Sequence, residues 1–378
     1  MNKEVFITKL SKYLPNKAIS NDLMEKYLGI IDNKPSLARR IVLKNNGILS
    51  RYYALDENGK TTHSNTDLTS LAVLVLLDKN FTKKNIQLLS CGTTSPDQLL
   101  PSHAAMVHGA IKGESIELAS FSGACCSGIQ ALKFGYLSVL AGNSNNAVCT
   151  GSERISRWLL AKNFERETEN LHLLHENPYL AFEKDFIRWM LSDGAGAALL
   201  QNTPSSHMSL KIEWLDITSY ANELETCMYA GAEKQKDASL SGWSEFESQQ
   251  WLNKSIFSLK QDVKLLSENI VNFGCLYLKE ILNKRKLNIN DINYFLPHLS
   301  SMFFKKKIFD ALTEAKIPIP EEKWFTNLTK VGNVGAASAY LMLEELLYSG
   351  KLKKGDKILL MVPESARFSY AYSLLTVC

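Results

Sequence analysis

Apolar positions along this chain fall into two alternating rhythms. Short runs with a strand-like pattern lie at residues 5–7, 86–90, 116–120, 147–151 and 196–201, and again at 210–217, 294–297 and 357–362. Between them, apolar residues recur at helical spacing over 67–77, 102–111, 127–142, 256–283, 302–315 and 336–348. The first rhythm predicts strands and the second amphipathic or buried helices. Their alternation in both halves predicts an α/β protein with helices layered on sheets.

Composition adds bounds. The chain has 378 residues, 45% hydrophobic and 22% charged, enough for two substantial cores, and it contains no low-complexity segment. No apolar run approaches the ~18 residues of a membrane span, and the start, Met1 to Phe6, lacks a secretory apolar region. A cytoplasmic protein with no membrane span is expected. The seven cysteines show neither metal-ligand spacing nor a disulfide framework, so no metal is expected and they read as free thiols. A net charge of +4 without an aromatic-basic module gives no reason to expect a nucleic-acid partner. The stretch 153–191 is the exception to the plain alternation. It carries Trp158, Phe164, Tyr179, Phe182, Phe186 and Trp189 among many charges, too aromatic for a disordered linker. It suits packing against a partner subunit, with a lid or docking element as the functional alternative.

Candidate chemistry concentrates at three turns. Cys126 lies in Ser122-Gly123-Ala124-Cys125-Cys126-Ser127-Gly128-Ile129, between a strand pattern and a helix pattern. A thiol in the first turn of such a helix would face free backbone N–H groups and the positive end of the helix dipole, both favouring thiolate. Cysteine is also among the most buried residue types, and Cys125 beside it suits core filling. The second turn is Phe295-Leu296-Pro297-His298. The third is Val331-Gly332-Asn333-Val334-Gly335-Ala336-Ala337-Ser338, opening an apolar helix. Taken singly, His298 fits a hydrogen-bonded core residue and Asn333 a cap or turn residue.

Together and in this order, the three turns resemble the Cys-His-Asn set of the thiolase superfamily, specifically its β-ketoacyl-acyl-carrier-protein synthase III branch. Thr93-Thr94-Ser95 with Pro101-Ser102, the run Ser192-Asp193-Gly194-Ala195-Gly196-Ala197-Ala198, and the final strand-turn-strand from Gly355 through Leu375 match the same family in order. The resemblance implies a five-layered αβαβα fold of two similar halves, 1–205 carrying the cysteine and 206–378 carrying the histidine and asparagine. It implies a homodimer without a cofactor, in which Cys126 takes an acyl group from a thioester. His298 and Asn333 then stabilise the enolate of a second thioester, which attacks the acyl-cysteine.

Departures from the pattern sharpen the expectation. After His298 the family's Gln-Ala-Asn is replaced by Leu299-Ser300-Ser301, and the C-terminal glycine run by Ser365-Ala366-Arg367 before Phe368. Arg367 does not easily take a positive φ, so a differently shaped loop is expected there. By alignment, the Trp and Arg that hold the adenine of coenzyme A are Ile41 and Asn45 here, which points to acyl-carrier-protein thioesters as substrates. Lys305, Lys306 and Lys307 suit an acidic carrier as well as they suit a solvated helix end. Leu100 stands where short-chain enzymes carry a Phe reaching across the dimer; with Ser301, Arg367 and Phe368 it is assigned to the substrate pocket. The ending Val362 to Phe368 looks similar to that of ketosynthases building dialkylresorcinol-type lipids, where one partner is a β-ketoacyl thioester. The alternatives are the synthase III that initiates fatty-acid synthesis and an acyltransferase of the same fold forming no carbon-carbon bond. A non-catalytic partner subunit is disfavoured by the intact Cys-His-Asn set.

Overall fold

The computed structural model describes residues 4–31, 36, 39–163 and 187–378. Nine strands join in one mixed sheet: β1 (Phe6–Tyr13), β2 (Leu88–Thr93), β3 (Glu117–Ser122), β4 (Asn146–Glu153), β5 (Gly194–Gln201), β6 (Leu210–Ser219), β7 (Tyr294–Pro297), β8 (Lys357–Glu364) and β9 (Ser369–Val377). Their order across the sheet is β7-β8-β9-β6-β1-β5-β4-β2-β3.

This order is a repeat. In the N-terminal half β1 pairs antiparallel with β5, β5 antiparallel with β4, and β4 parallel with β2. In the C-terminal half β6 pairs antiparallel with β9, β9 antiparallel with β8, and β8 parallel with β7. Beyond β2 lies β3, whose place beyond β7 is marked among the described residues by a single parallel bridge between Phe295 and Trp324. The two sets meet through a short ladder, Phe6 opposite Lys211 and Ile7 opposite Leu210. What sequence self-comparison is too weak to show is thus explicit in the strand order.

The helices repeat too. α1 (Asn65–Leu76) and α2 (His103–Ile111) belong to the first half, α4 (Val263–Arg285) and α5 (Phe303–Glu314) to the second, and α3 (Cys125–Ala141) and α6 (Ser338–Leu347) are the central helix of each. Three cores define the layers. Leu68, Val73, Ala104 and Val107 pack α1 and α2 on one face of the first set of strands. Ile270, Leu278, Phe304 and Ile308 pack α4 and α5 on the second set. Between the two sets, Ile129 and Leu132 of α3 and Tyr340 and Leu343 of α6 share a core with Ile7, Leu200, Leu210 and Leu360. The result is the five-layered thiolase-type arrangement.

The central layer is close because small residues allow it. A Cβ on Gly128 of α3 or on Gly151 of β4 would stand 2.1 Å from the carbonyl oxygen of Ala336, in the turn that opens α6. That turn therefore rests directly on backbone. One predicted helix is shorter than expected: the 256–283 pattern becomes helical only at Val263, where Asp262 accepts from the Leu265 N–H at 2.9 Å. Upstream of it, two short two-stranded ribbons, one joining Met228–Tyr229 to Lys260–Gln261 and the other Ala232–Lys234 to Leu240–Gly242, lie over one side of the molecule.

Candidate active site

The ends of β2, β4, β7 and β8 and the starts of α3 and α6 converge on one cavity of roughly 890 Å³, its open mouth included. Cys125, His298 and Asn333 all line it. Most of the wall is apolar, with Ile155, Met190, Leu266, Ile270 and Met361 among its residues. A hydrocarbon chain is the natural occupant of such a surface.

Of the two adjacent cysteines, Cys125 lines the cavity, whereas Cys126, the nucleophile that the family resemblance implies, lies behind it. Cys126 is 0% exposed, belongs to the central core, and points its Sγ at the Val362 carbonyl oxygen, 3.3 Å away. The reason is helical phase: successive residues of a helix diverge by about 100°, so only one of two neighbours in the first turn can face the opening.

Two of the N–H groups expected to be free at this helix start are already taken. α3 has Ala124 as its N-cap and no side-chain cap of its own. Glu364, the last residue of β8, supplies the acceptor, its Oε2 taking the N–H of Ala124 at 3.1 Å and of Cys126 at 2.9 Å. Burial, then Glu364, then Glu153, push the Cys125 thiol well above its ordinary pKa, and burial and Glu364 do the same to Cys126. The thiol facing the cavity is neutral at rest, contrary to the thiolate expected from the helix dipole alone.

His298 continues the β7–β8 ladder, its N–H donating to the Met361 carbonyl at 2.8 Å. The ring is buried, its Nε2 has no protein partner, and burial draws its pKa down to about 4. It is therefore a neutral imidazole near neutral pH, with one polar atom left for a ligand. Asn333 is held by its backbone, N–H to the Met190 carbonyl at 3.0 Å and carbonyl from the Ser192 N–H at 2.9 Å. Its Oδ1 accepts from the Gly335 N–H at 3.0 Å, which leaves the amide Nδ2 as a donor.

Glu153 is the wall residue that sequence reasoning missed. It closes β4, is buried, and accepts four hydrogen bonds: from Thr94 N–H (3.1 Å), Thr94 Oγ1 (2.6 Å), Ser95 Oγ (2.6 Å) and the Ala336 N–H (3.1 Å). Burial outweighs these donors and pushes its carboxyl up to about 7. The available signal was an acid ending a strand buried at every position.

The remaining assignments separate. Ser301 is turned away from the cavity, accepting from the Phe303 N–H at the start of α5, and it is Ser300 that lines the wall. Phe368, not Arg367, takes the positive φ of 55° in the β8–β9 turn. Phe368 is then buried in the second core, while Arg367 is exposed and its Nε reaches the Leu224 carbonyl at 3.4 Å. Neither lines the cavity; Pro363 and Ser365 do. Leu100 is 85% exposed and does not line the cavity of its own chain. The lysine triplet is partly engaged, Lys305 with Glu321, Lys306 with Asp310 and Lys307 with Ser267 Oγ. Within 153–191, Phe164, Tyr179, Phe182 and Phe186 lie outside the described residues, whereas Trp189 is core and Ile187, Met190 and Leu191 line the cavity. Among the described residues there is no metal-binding group, all seven cysteines are free, and no helix is long and apolar enough to cross a membrane.

Comparison with known proteins agrees with this geometry. The profile of the 3-oxoacyl-[acyl-carrier-protein] synthase III C-terminal family matches residues 282–367. The chain is 26% identical over 356 residues to the β-ketoacyl-[acyl-carrier-protein] synthase III of Clostridium perfringens strain SM101, covering 92% of each chain. It is 26% identical over 375 residues to that of Clostridium tetani, covering 99% of this chain and 98% of the other. In structure it resembles the tetronic acid condensing enzyme AbyA1, with a TM-score of 0.77 at 19% identity over 98% of this chain and 99% of that one. The synthase III of Pseudomonas aeruginosa PAO1 gives a TM-score of 0.72 at 18% identity, covering 99% and 98%. The fold, the order of the motifs and these relatives agree, and the chain is similar over nearly its whole length to condensing enzymes of the 3-oxoacyl-acyl-carrier-protein synthase III type.

Proposed function

We propose that this protein is a ketosynthase that loads an acyl group on Cys125 and joins it to a second acyl thioester, with His298 and Asn333 serving the second step. The carrying observation is that the pocket-facing thiol, a neutral imidazole and an amide donor share one apolar cavity.

In the first step the Cys125 Sγ bonds to the acyl carbon, the bond from that carbon to the donor's sulfur breaks, and the thiol proton ends on the released thiol. In the second, His298 Nε2–H and Asn333 Nδ2–H donate to the carbonyl oxygen of the second thioester, stabilising its enolate. The enolate carbon bonds to the acyl carbon, and Cys125 leaves and regains its proton. The enolate arises by loss of carbon dioxide from a malonyl group or of an α-proton from a β-ketoacyl group.

The proposed substrates are acyl-carrier-protein thioesters. Ile41, at the family's adenine-stacking position, is an exposed aliphatic residue, and Asn45 offers no cation beside it. The proposed setting is secondary lipid or polyketide biosynthesis of the dialkylresorcinol type, supported by the roomy apolar cavity and the turn after Val362 that replaces the glycine run. The second reading, initiation of fatty-acid synthesis with malonyl-carrier protein, is favoured by the printed names of the curated relatives. A homodimer formed along β3 completes the proposal.

Incubation with a panel of acyl-carrier thioesters, followed by peptide mass mapping, tests this. The adduct is expected on Cys125 and is expected to vanish in Cys125→Ala while persisting in Cys126→Ala. An adduct on Cys126 would reverse the assignment. Product mass with malonyl or β-ketoacyl partners separates the two readings, and transfer to an oxygen or nitrogen acceptor would make the protein an acyltransferase.

A further inference from the structure

β4 and β8 are equivalent strands of the two halves, and each ends in a buried glutamate. Glu153 closes β4 in the first half and accepts from the Ala336 N–H, in the turn that carries Asn333 and opens the central helix of the second half. Glu364 closes β8 in the second half and accepts from the N–H groups of Ala124 and Cys126, which flank Cys125 at the start of the central helix of the first half. The caps are exchanged between halves. Neither helix supplies a side-chain cap of its own, Ala124 and Ala337 standing at their N-cap positions. A carboxylate is the acceptor that a helix start favours most, through its orphan N–H groups and its dipole.

We propose that Glu364 and Glu153 are a reciprocal pair of positioning residues, Glu364 fixing the turn that presents the Cys125 thiol and Glu153 fixing the turn that presents Asn333. The proposal rests on Cys125 being the nucleophile. When ionised, Glu364 also places negative charge beside the thiol, adding to the burial that raises the pKa of Cys125. The titratable groups around Cys125 are Glu364 from β8, Glu153 from β4, the Cys126 thiol on its own helix and, across the cavity, the neutral His298. Of these, the two glutamates are the acids, and burial raises the pKa of each. Glu153 joins three elements, the end of β4, the Thr94–Ser95 loop after β2 and the Ala336 turn, so its loss acts on the second step.

Variants of the full chain separate the two roles. Glu364→Gln keeps an oxygen for both N–H groups but removes the charge; Glu364→Ala removes both. Alkylation of Cys125 by iodoacetamide, mapped by peptide mass across about pH 6 to about pH 10, brackets an ordinary thiol. Glu364→Gln is expected to move the alkylation profile toward that of an ordinary thiol and to raise the rate at neutral pH several-fold. Acyl loading is expected to fall roughly ten- to a hundred-fold in Glu364→Ala, a misplaced nucleophile being enough for this, and to recover substantially in Glu364→Gln. For Glu153→Ala, single-turnover condensation from pre-formed acyl-enzyme is expected to fall at least about tenfold. Loading should fall far less, and Glu153→Gln should restore most of the loss. An unchanged alkylation profile in Glu364→Gln together with normal loading in Glu364→Ala overturns the first half; equal loss of both steps in Glu153→Ala overturns the second. If an alanine variant does not fold, its glutamine counterpart decides by the same readouts. A Cys125→Ala enzyme that still loads acyl groups removes the underlying assignment, an outcome distinct from either.

Discussion

His298 and Glu153 line the same cavity with pKa values displaced by burial in opposite directions, and their pH consequences are correspondingly opposite. Glu153 rises from 4.5 to about 7 in the fold, so the folded state holds a proton the unfolded chain has lost. Its contribution is fully present below about pH 4.5 and is lost as pH climbs through about 7. His298 falls from 6.5 to about 4, so its contribution is present above about pH 6.5 and is lost as pH drops through about 4. Each displacement is worth on the order of 3 kcal/mol. Urea unfolding of Glu153→Gln against the unsubstituted protein should show the stability gap shifting in favour of the variant between about pH 4.5 and 7, and a pH-independent gap would deny Glu153 the raised value. His298→Ala should still form the acyl-enzyme while condensing about a hundred- to a thousand-fold more slowly, the usual cost of one oxyanion donor. Because His298 stays neutral, single-turnover condensation should show no acid limb near pH 6.5. A limb there would mean that the imidazole titrates as if exposed.

At the scale of elements, function depends on how closely α3, β4 and the turn before α6 approach. A methyl group on Gly128 meets the Ala336 carbonyl oxygen at 2.1 Å, and Tyr340 Oη of α6 donates to the Gly128 carbonyl at 2.8 Å. Backbone cannot yield as a side-chain tip does, so Gly128→Ala should cost about 1–3 kcal/mol in urea unfolding. It should also slow condensation, since Asn333 rides on the displaced turn; full stability with full activity would show that the turn adapts. This closeness also explains what was legible in the sequence. Strand and helix order was readable because patterns such as 196–201 and 302–315 carry their own period. His298 and Asn333, which the structure brings to one cavity, stood out in the sequence because each lies in a distinctive turn. Which of Cys125 and Cys126 lines the cavity was not legible, since the two are adjacent in the first turn of α3 and periodicity cannot say which thiol meets the opening. Glu153 and Glu364 were hidden for another reason: each caps a helix of the other half, and Glu364 lies 238 residues from Cys126. Ser301 and Phe368 were misplaced because a single residue's direction in a turn decides cavity or core.

At the scale of the whole molecule, β3 is the open end of the sheet. It pairs with β2 on one side only, and Glu117, Leu118, Ser120 and Ser122 are exposed along it, with Leu118 at 37%. A strand edge with apolar positions invites pairing with another chain, and Leu99 and Leu100 are further exposed apolar residues of the same half. Native mass spectrometry should therefore find a homodimer, and Leu118→Arg should shift it toward monomer; a monomeric unsubstituted protein would remove this assembly. Leu100 then has a place to go. If it closes the partner's acyl pocket where a Phe serves short-chain enzymes, the shorter side chain leaves room for medium or branched acyl groups. Each additional buried methylene contributes roughly 0.8 kcal/mol, so a few carbons produce a large preference. Loading rates on Cys125 should rise from acetyl to medium-chain thioesters, Leu100→Phe should reverse that order, and the reversal should be absent in the Leu118→Arg monomer, where no partner pocket is within reach. An unsubstituted enzyme that prefers acetyl, or a Leu100→Phe dimer with unchanged preference, would place the end of the acyl pocket within one subunit, among the α4 and α5 side chains Leu266, Ile270 and Ile308 that already line the cavity.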